Sequence, residues 1–119
     1  MRNTSEILLK TIEKAIIEKK AENITILKFD KIENAITDYF IICTATSKIH
    51  ANTLAAFTED FVRENIKEKP WKKEGFENSE WILLDYVNVV VHIFQQETRN
   101  YYNLEQLWAD AELIKNNNS

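Results

Sequence analysis

Glycine, proline and cysteine each occur once in these 119 residues. The lone glycine excludes the glycine-rich loops that cradle phosphates. The lone cysteine, Cys43 inside the run YFIIC, excludes a disulfide framework and cysteine-based zinc sites. It points to a reducing intracellular compartment. No apolar run approaches the roughly 20 residues a membrane span needs. The opening MRNTSEILLK lacks the apolar core of a signal peptide. A soluble, cytoplasmic protein away from the membrane is expected. Positive charge is also short: 15 Lys and Arg face 19 Asp and Glu, for a net charge of −4. Gripping bare phosphate backbone needs clustered cations, so nucleic acid is a poor primary partner. A basic protein suits better.

The chain does have material for a core. Apolar residues make up 45% and aromatics 11%, enough for one domain. Residues 4–20 read as a helix, with Leu8, Leu9, Ile12, Ala15 and Ile16 at helical spacing. Asn3 and Glu6 have the form of a capping box. ITILKF (24–29) alternates as a strand, and YFIICT (39–44) is a continuous apolar run of the kind covered on both faces. Ser47 offers an N-cap for a helix to about Lys69, with Leu54, Phe57 and Phe61 as its stripe, Val62 on its flank and Pro70 as its stop. PWKKEGFENSE reads as a loop with a short edge strand at WKK. A hairpin follows at 81–95, then a last helix from about Leu104, capped by Asn103 with Gln106. Residues 113–119, ending in NNNS, read as a frayed tail. Strand 39–44, helix 47–69 and strand 81–86 form a right-handed crossover unit that makes the two strands parallel. The fold class is α/β: a single-domain sandwich of a mixed sheet and flanking helices.

WILLDYVNVVVHIF (81–94) is the segment with functional content. A two-residue turn at Val87-Asn88 pairs Tyr86 with Val89, and alternation then sorts the side chains. Ile82, Leu84, Tyr86, Val89, Val91 and Ile93 share a core face. Trp81, Leu83, Asp85, Val90, His92 and Phe94 share the other, a composition suited to a protein interface. At the turn, Asn88 takes a positive φ more cheaply than Val87. His92 is read as a hydrogen-bonded structural histidine. A metal site needs a third ligand, and His50 lies far along the chain. No nucleophile accompanies Asp85 and His92, so no catalytic residue, cofactor or metal is assigned. Asp30, Glu33 and Asp38 sit in a polar loop and read as solvated. ATSKIH (45–50) reads as a helix cap, although its amides suit an anion. Lys67, Lys69, Lys72 and Lys73, interleaved with glutamates, read as solvated surface with at most a marginal RNA contact.

DYFIICTATS, EWILLDYVNVVVHIF and QETRNYYNLEQLW, in this order and spacing, resemble the ribosomal silencing factor family, also called Iojap. The resemblance covers roughly residues 5–112. It implies a nucleotidyltransferase-like α/β fold without the catalytic carboxylates. It also implies a factor that binds the large ribosomal subunit at its fourteenth-numbered protein, blocks subunit joining and lowers translation in starvation or stationary phase. Carried onto this chain, the family's contacts fall on Trp81, Asp85 and Tyr86. Facial sorting puts Tyr86 on the core side, so a contact there requires it to escape the core at the turn. With His92 these residues form the candidate partner-binding set. The chain departs from the family in having Val87-Asn88 where Gly-Asp is common, and Ala45 where T-G-T-S carries glycine. A nucleotidyltransferase-like enzyme or nucleotide binder is the alternative, but that class needs a Gly-Ser motif followed by paired aspartates. The lone Gly75 precedes Phe76, and no two of Asp30, Asp38, Asp60, Asp85 and Asp110 form a D-x-D pair. A homodimerisation module is a third reading.

Overall fold

The computed structural model describes residues 4–29 and 32–116. Helix α1 (Thr4–Glu18) buries the expected stripe, Leu8, Leu9, Ile12, Ala15 and Ile16; the proposed cap at Asn3 lies outside the described residues. Strand β1 (Glu22–Lys28) runs antiparallel to β2 (Tyr39–Ala45). Ser47 caps α2 (Lys48–Ile66) by accepting from the His50 N–H at 3.0 Å. The buried stripe of α2 is Ala51, Leu54, Ala55, Thr58 and Val62. Phe57 and Phe61, expected within that stripe, are half-buried at its edge and stack on each other. The helix ends before Lys69: Lys67 turns left-handed and its N–H closes on the Arg63 carbonyl, so Pro70 is not the stop.

Beyond α2 come β3 (Lys72–Glu74), β4 (Trp81–Asp85), β5 (Val89–Gln95), α3 (Gln96–Tyr102), α4 (Leu104–Leu107) and β6 (Glu112–Asn116). One six-stranded mixed sheet has the order β3-β4-β5-β2-β1-β6, an α/β architecture as expected. The expected pairing around the crossover is wrong, however. It is β5 that lies parallel to β2, from Tyr39↔Val89 to Ala45↔Gln95. Because β4 is antiparallel to β5, it is also antiparallel to β2. The crossover lands on edge strand β3, and the chain then walks inward through β4 to β5. Hydrophobicity explains the choice. VVVHIF is buried at every position, which suits the sheet centre, whereas WILLD is half-open at alternate positions.

Helices α1 and α2 cover one face over a core that includes Ile12, Ile41, Leu54, Ile82, Leu84 and Ile93. A smaller cluster, Leu27, Phe29, Ile42, Phe94 and Leu104, lies on the other face. The C-terminal region differs most from expectation. Helix α3 was not anticipated, α4 is a single turn, and residues 112–116 form a strand beside β1 where a frayed tail from 113 was expected. The Asn103–Gln106 cap is present, with Gln106 N–H directed at Asn103 Oδ1.

The hairpin turn has the expected register, Tyr86 N–H to Val89 C=O at 2.9 Å, but reverses the expected backbone roles. Val87 takes φ +77 and Asn88 does not appear in the left-handed region. Asn88 is fixed from behind: its carbonyl accepts from the Asp38 and Tyr39 N–H groups, and its side chain donates to Ser5 Oγ. Val87 is left to absorb the reversal, while Asp85 Oδ1 accepts from its N–H at 2.8 Å. A β-branched residue there is strained. Val87→Gly is therefore expected to raise stability by about 1 kcal/mol. Urea unfolding checks this, and a loss of stability would mean that the turn carries no strain.

Candidate docking face

Alternation along β4 points Trp81, Leu83 and Asp85 away from α1 and α2, and all three are half-buried. Their neighbours on β5, Val90, His92 and Phe94, are buried. Helix α3 packs on β5 and β2 on this side and reaches β4 at Trp81 through Tyr102, while Leu83 and Asp85 stay half-buried. The result is an open strip of sheet with an aromatic end at Trp81 and an acidic end at Asp85.

Trp81 is held from below and behind. Its ring stacks on Phe94 at 4.9 Å and meets Tyr102 at 4.8 Å. Its Nε1–H donates to His92 Nδ1 at 3.1 Å. That bond makes Nδ1 an acceptor and places the proton of the neutral ring on Nε2, which is buried without a partner. His92 also sits edge-on against Phe40 at 4.4 Å. It is 3% exposed, and burial pushes its pKa down to about 3. His92 is thus a support for Trp81.

The sign of its pH effect follows. The unfolded chain takes up the His92 proton near pH 6.5, whereas the folded chain resists it until about pH 3. This contribution to stability is complete above pH 6.5 and is lost as pH falls from 6.5 towards 3. The expected slope is about 1.4 kcal/mol per pH unit within that window. Comparing thermal unfolding of wild type and His92→Phe between pH 7.5 and 5 isolates the term. Equal slopes would remove His92 as its source.

Tyr86 does not escape the core. It is 4% exposed, among the residues under α2, and its hydroxyl has no hydrogen-bond partner. Burial, then Glu59, raises its phenol above the usual range. The expected direct contact at Tyr86 has no surface to act from, because the turn reverses after it and keeps its side chain inward. Burial likewise pushes the Cys43 thiol up to about 12, leaving it protonated.

The remaining motif residues organise the scaffold. Asp38 accepts from Ser5 Oγ at 2.5 Å, joining the loop before β2 to α1. His50 Nδ1 accepts from Thr46 N–H while its Nε2 meets the Lys19 carbonyl, so the ATSKIH amides close an internal cap. Arg99 of α3 donates to Asn23 O, Thr44 Oγ1, Thr25 Oγ1 and Glu105 Oε2. It borders a cleft of about 580 Å³ with a mixed polar and apolar lining beside β1 and α4. Asp30 lies outside the described residues, and Glu33 is exposed. In the basic cluster, Lys72 pairs with Glu74 and Lys73 with Glu59, which leaves Lys67 and Lys69 as its less neutralised part. No helix among the described residues is long and apolar enough to cross a membrane. Sequence reasoning missed Tyr102 as the outer wall of Trp81. Its segment, QETRNYY, has no apolar period to reveal a helix.

These features define a small mixed-sheet α/β domain with helices α1 and α2 on one face and a partly open aromatic–acidic strip on the other. The family model described as ribosomal silencing factor during starvation matches residues 2–119, and the chain belongs to that family. It is 41% identical over 107 residues to ribosomal silencing factor RsfS of Bacillus subtilis, covering 89% of this chain and 88% of the relative. Mitochondrial assembly of ribosomal large subunit protein 1 of Mus musculus is 32% identical over 79 residues, covering 65% of this chain and 35% of that protein. A crystal structure from Bacillus halodurans superposes with a TM-score of 0.79 at 32% identity, covering 92% of this chain and 98% of the other. One from Chromobacterium violaceum gives 0.81 at 28%, covering 87% and 85%.

Proposed function

We propose that this chain acts in the cytoplasm by docking the outward face of β4 on a basic protein of the large ribosomal subunit, its fourteenth-numbered one. Bound there, it blocks joining of the small subunit and lowers translation in starvation or stationary phase. The observation that carries this reading is the strip Trp81–Leu83–Asp85, half-open on a chain of net charge −4. Trp81 supplies a pre-positioned apolar anchor, and Asp85 supplies a carboxylate for Lys or Arg. Tyr86 and His92 serve from inside, Tyr86 at the turn and His92 under the indole. Membership of a ribosomal silencing family supports a ribosomal partner, and the name of the mouse relative supports the large subunit. This is steric regulation without catalysis. Any rRNA contact is marginal and falls to Lys67 and Lys69. A second copy of the chain is the competing occupant of the strip.

Sucrose-gradient co-sedimentation with separated subunits tests the proposal. The expected result is binding to the large subunit alone, weakened by salt less steeply than for a protein gripping many phosphates. Equal binding to both subunits, or to neither, would refute it. A stable dimer with no subunit binding would favour self-association.

A further inference from the structure

The aromatic end of the strip continues onto α3. Tyr102 meets Trp81 at 4.8 Å, and Tyr101 stands edge-on to Tyr102 at 5.0 Å. Exposure rises outward along this row, from half-buried Trp81 to Tyr102 at 49% and Tyr101 at 82%. Two shallow depressions of about 170 and 400 Å³ flank it and share Glu80, Thr98 and Tyr102. Glu77 and Glu97 complete their rims, and neither depression has a Lys or Arg in its lining. Glu77, Glu80 and Glu97 are exposed and form no ion pair among the described residues.

An exposed aromatic row bordered by unpaired carboxylates has a specific complement. A guanidinium stacks on a ring and donates in its own plane to a carboxylate, two interactions that reinforce each other when water is excluded. An anionic or purely apolar partner leaves the three carboxylates without compensation on burial. We infer that Tyr101 and Tyr102, with Glu80 and Glu97, form a second contact patch that takes an arginine side chain of the basic protein partner. This deepens the proposed function and rests on it. It adds to the Trp81–Asp85 strip a recognition element that selects arginine by shape as well as charge.

The test measures large-subunit binding and its salt dependence for Tyr101→Ala, Tyr101→Phe and the double variant Glu80→Gln/Glu97→Gln, with Trp81→Ala alongside. Thermal unfolding checks that the surface variants remain folded. The expected result is about a tenfold loss for Tyr101→Ala and for the double variant. Tyr101→Phe keeps the ring and binds as wild type. The double variant has a flatter salt dependence, because two attracting charges are gone. If Trp81→Ala loses binding while Tyr101→Ala and the double variant match wild type, the patch is overturned and the proposed function stands. If wild type binds neither subunit, both fall.

Discussion

Arg99→Ala is expected to lower stability by about 3 kcal/mol or more. Arg99 is 8% exposed and the only buried residue of α3. Its guanidinium reaches the Asn23 carbonyl at 2.6 Å, Thr44 Oγ1 at 2.9 Å and Thr25 Oγ1 at 3.0 Å. It closes on Glu105 through both Nε and Nη2. Removing it leaves acceptors on β1 and β2 facing a void. Glu105 keeps partial access to water, so the larger part of the cost lies in the strand oxygens that lose a charged donor. Arg99→Lys keeps the charge but lacks the fork that spans four partners, so it should recover only part of the loss. Urea unfolding of both variants checks this, and a cost below about 1 kcal/mol for Ala would show the network to be dispensable. A second readout follows from packing. Without its anchor α3 loosens and Tyr102 leaves Trp81, so the tryptophan fluorescence of the folded state should change as well.

The elements legible in the sequence are those whose burial is periodic. Leu8 to Ile16 on α1 and the hairpin register follow from alternation of buried and open positions, the run YFIICT from burial on both faces, and the Ser47 cap from its local bond to the His50 N–H. Helix α3 was illegible because its interior is a single arginine. Strand β6 was illegible because Leu113 and Ile114 are both substantially exposed on an edge strand, so neither shows alternation. The parallel partner of β2 was misplaced because connectivity alone does not say which hairpin strand takes the centre; the continuous burial of β5 does. In the candidate site, alternation correctly separated Trp81 and Asp85 from Tyr86. What alternation does not contain is how much of a face a helix covers. The structural reading of His92 fits its bond to Trp81, but its place in the partner-binding set has no exposed surface behind it, because the rings of Phe40, Trp81 and Phe94 enclose it. The valine at φ +77 was also unforeseen. Local propensity favoured Asn88, but the bonds from Asp38, Tyr39 and Ser5 that fix it come from distant parts of the chain.

Trp81→Ala is expected to weaken large-subunit binding by about 2 kcal/mol, roughly thirtyfold. The indole is pre-positioned by Phe94, Tyr102 and His92, so its side-chain entropy is largely lost before binding. The same contacts give Trp81 a structural share, and the variant should also lose some stability. Trp81→Phe separates the two roles, keeping a stacked ring while removing the N–H that His92 accepts. Asp85→Asn is the cleaner probe of the interface. The amide oxygen can still accept from the Val87 N–H, so the turn should hold, while the charge offered to a cationic partner is gone. Its expected signature is weaker binding, a flatter salt dependence and an unchanged melting temperature. His92→Ala is the scaffold control. It opens a cavity beneath the indole and should cost about 2 kcal/mol or more of stability. Its binding loss should be smaller than that of Trp81→Ala once both are measured on folded protein. Subunit affinity and thermal unfolding on these four variants decide the assignment. If Trp81→Ala unfolds the chain while His92→Ala stays folded but no longer binds, anchor and support have been assigned the wrong way round, and the strip along β4 is not the docking face.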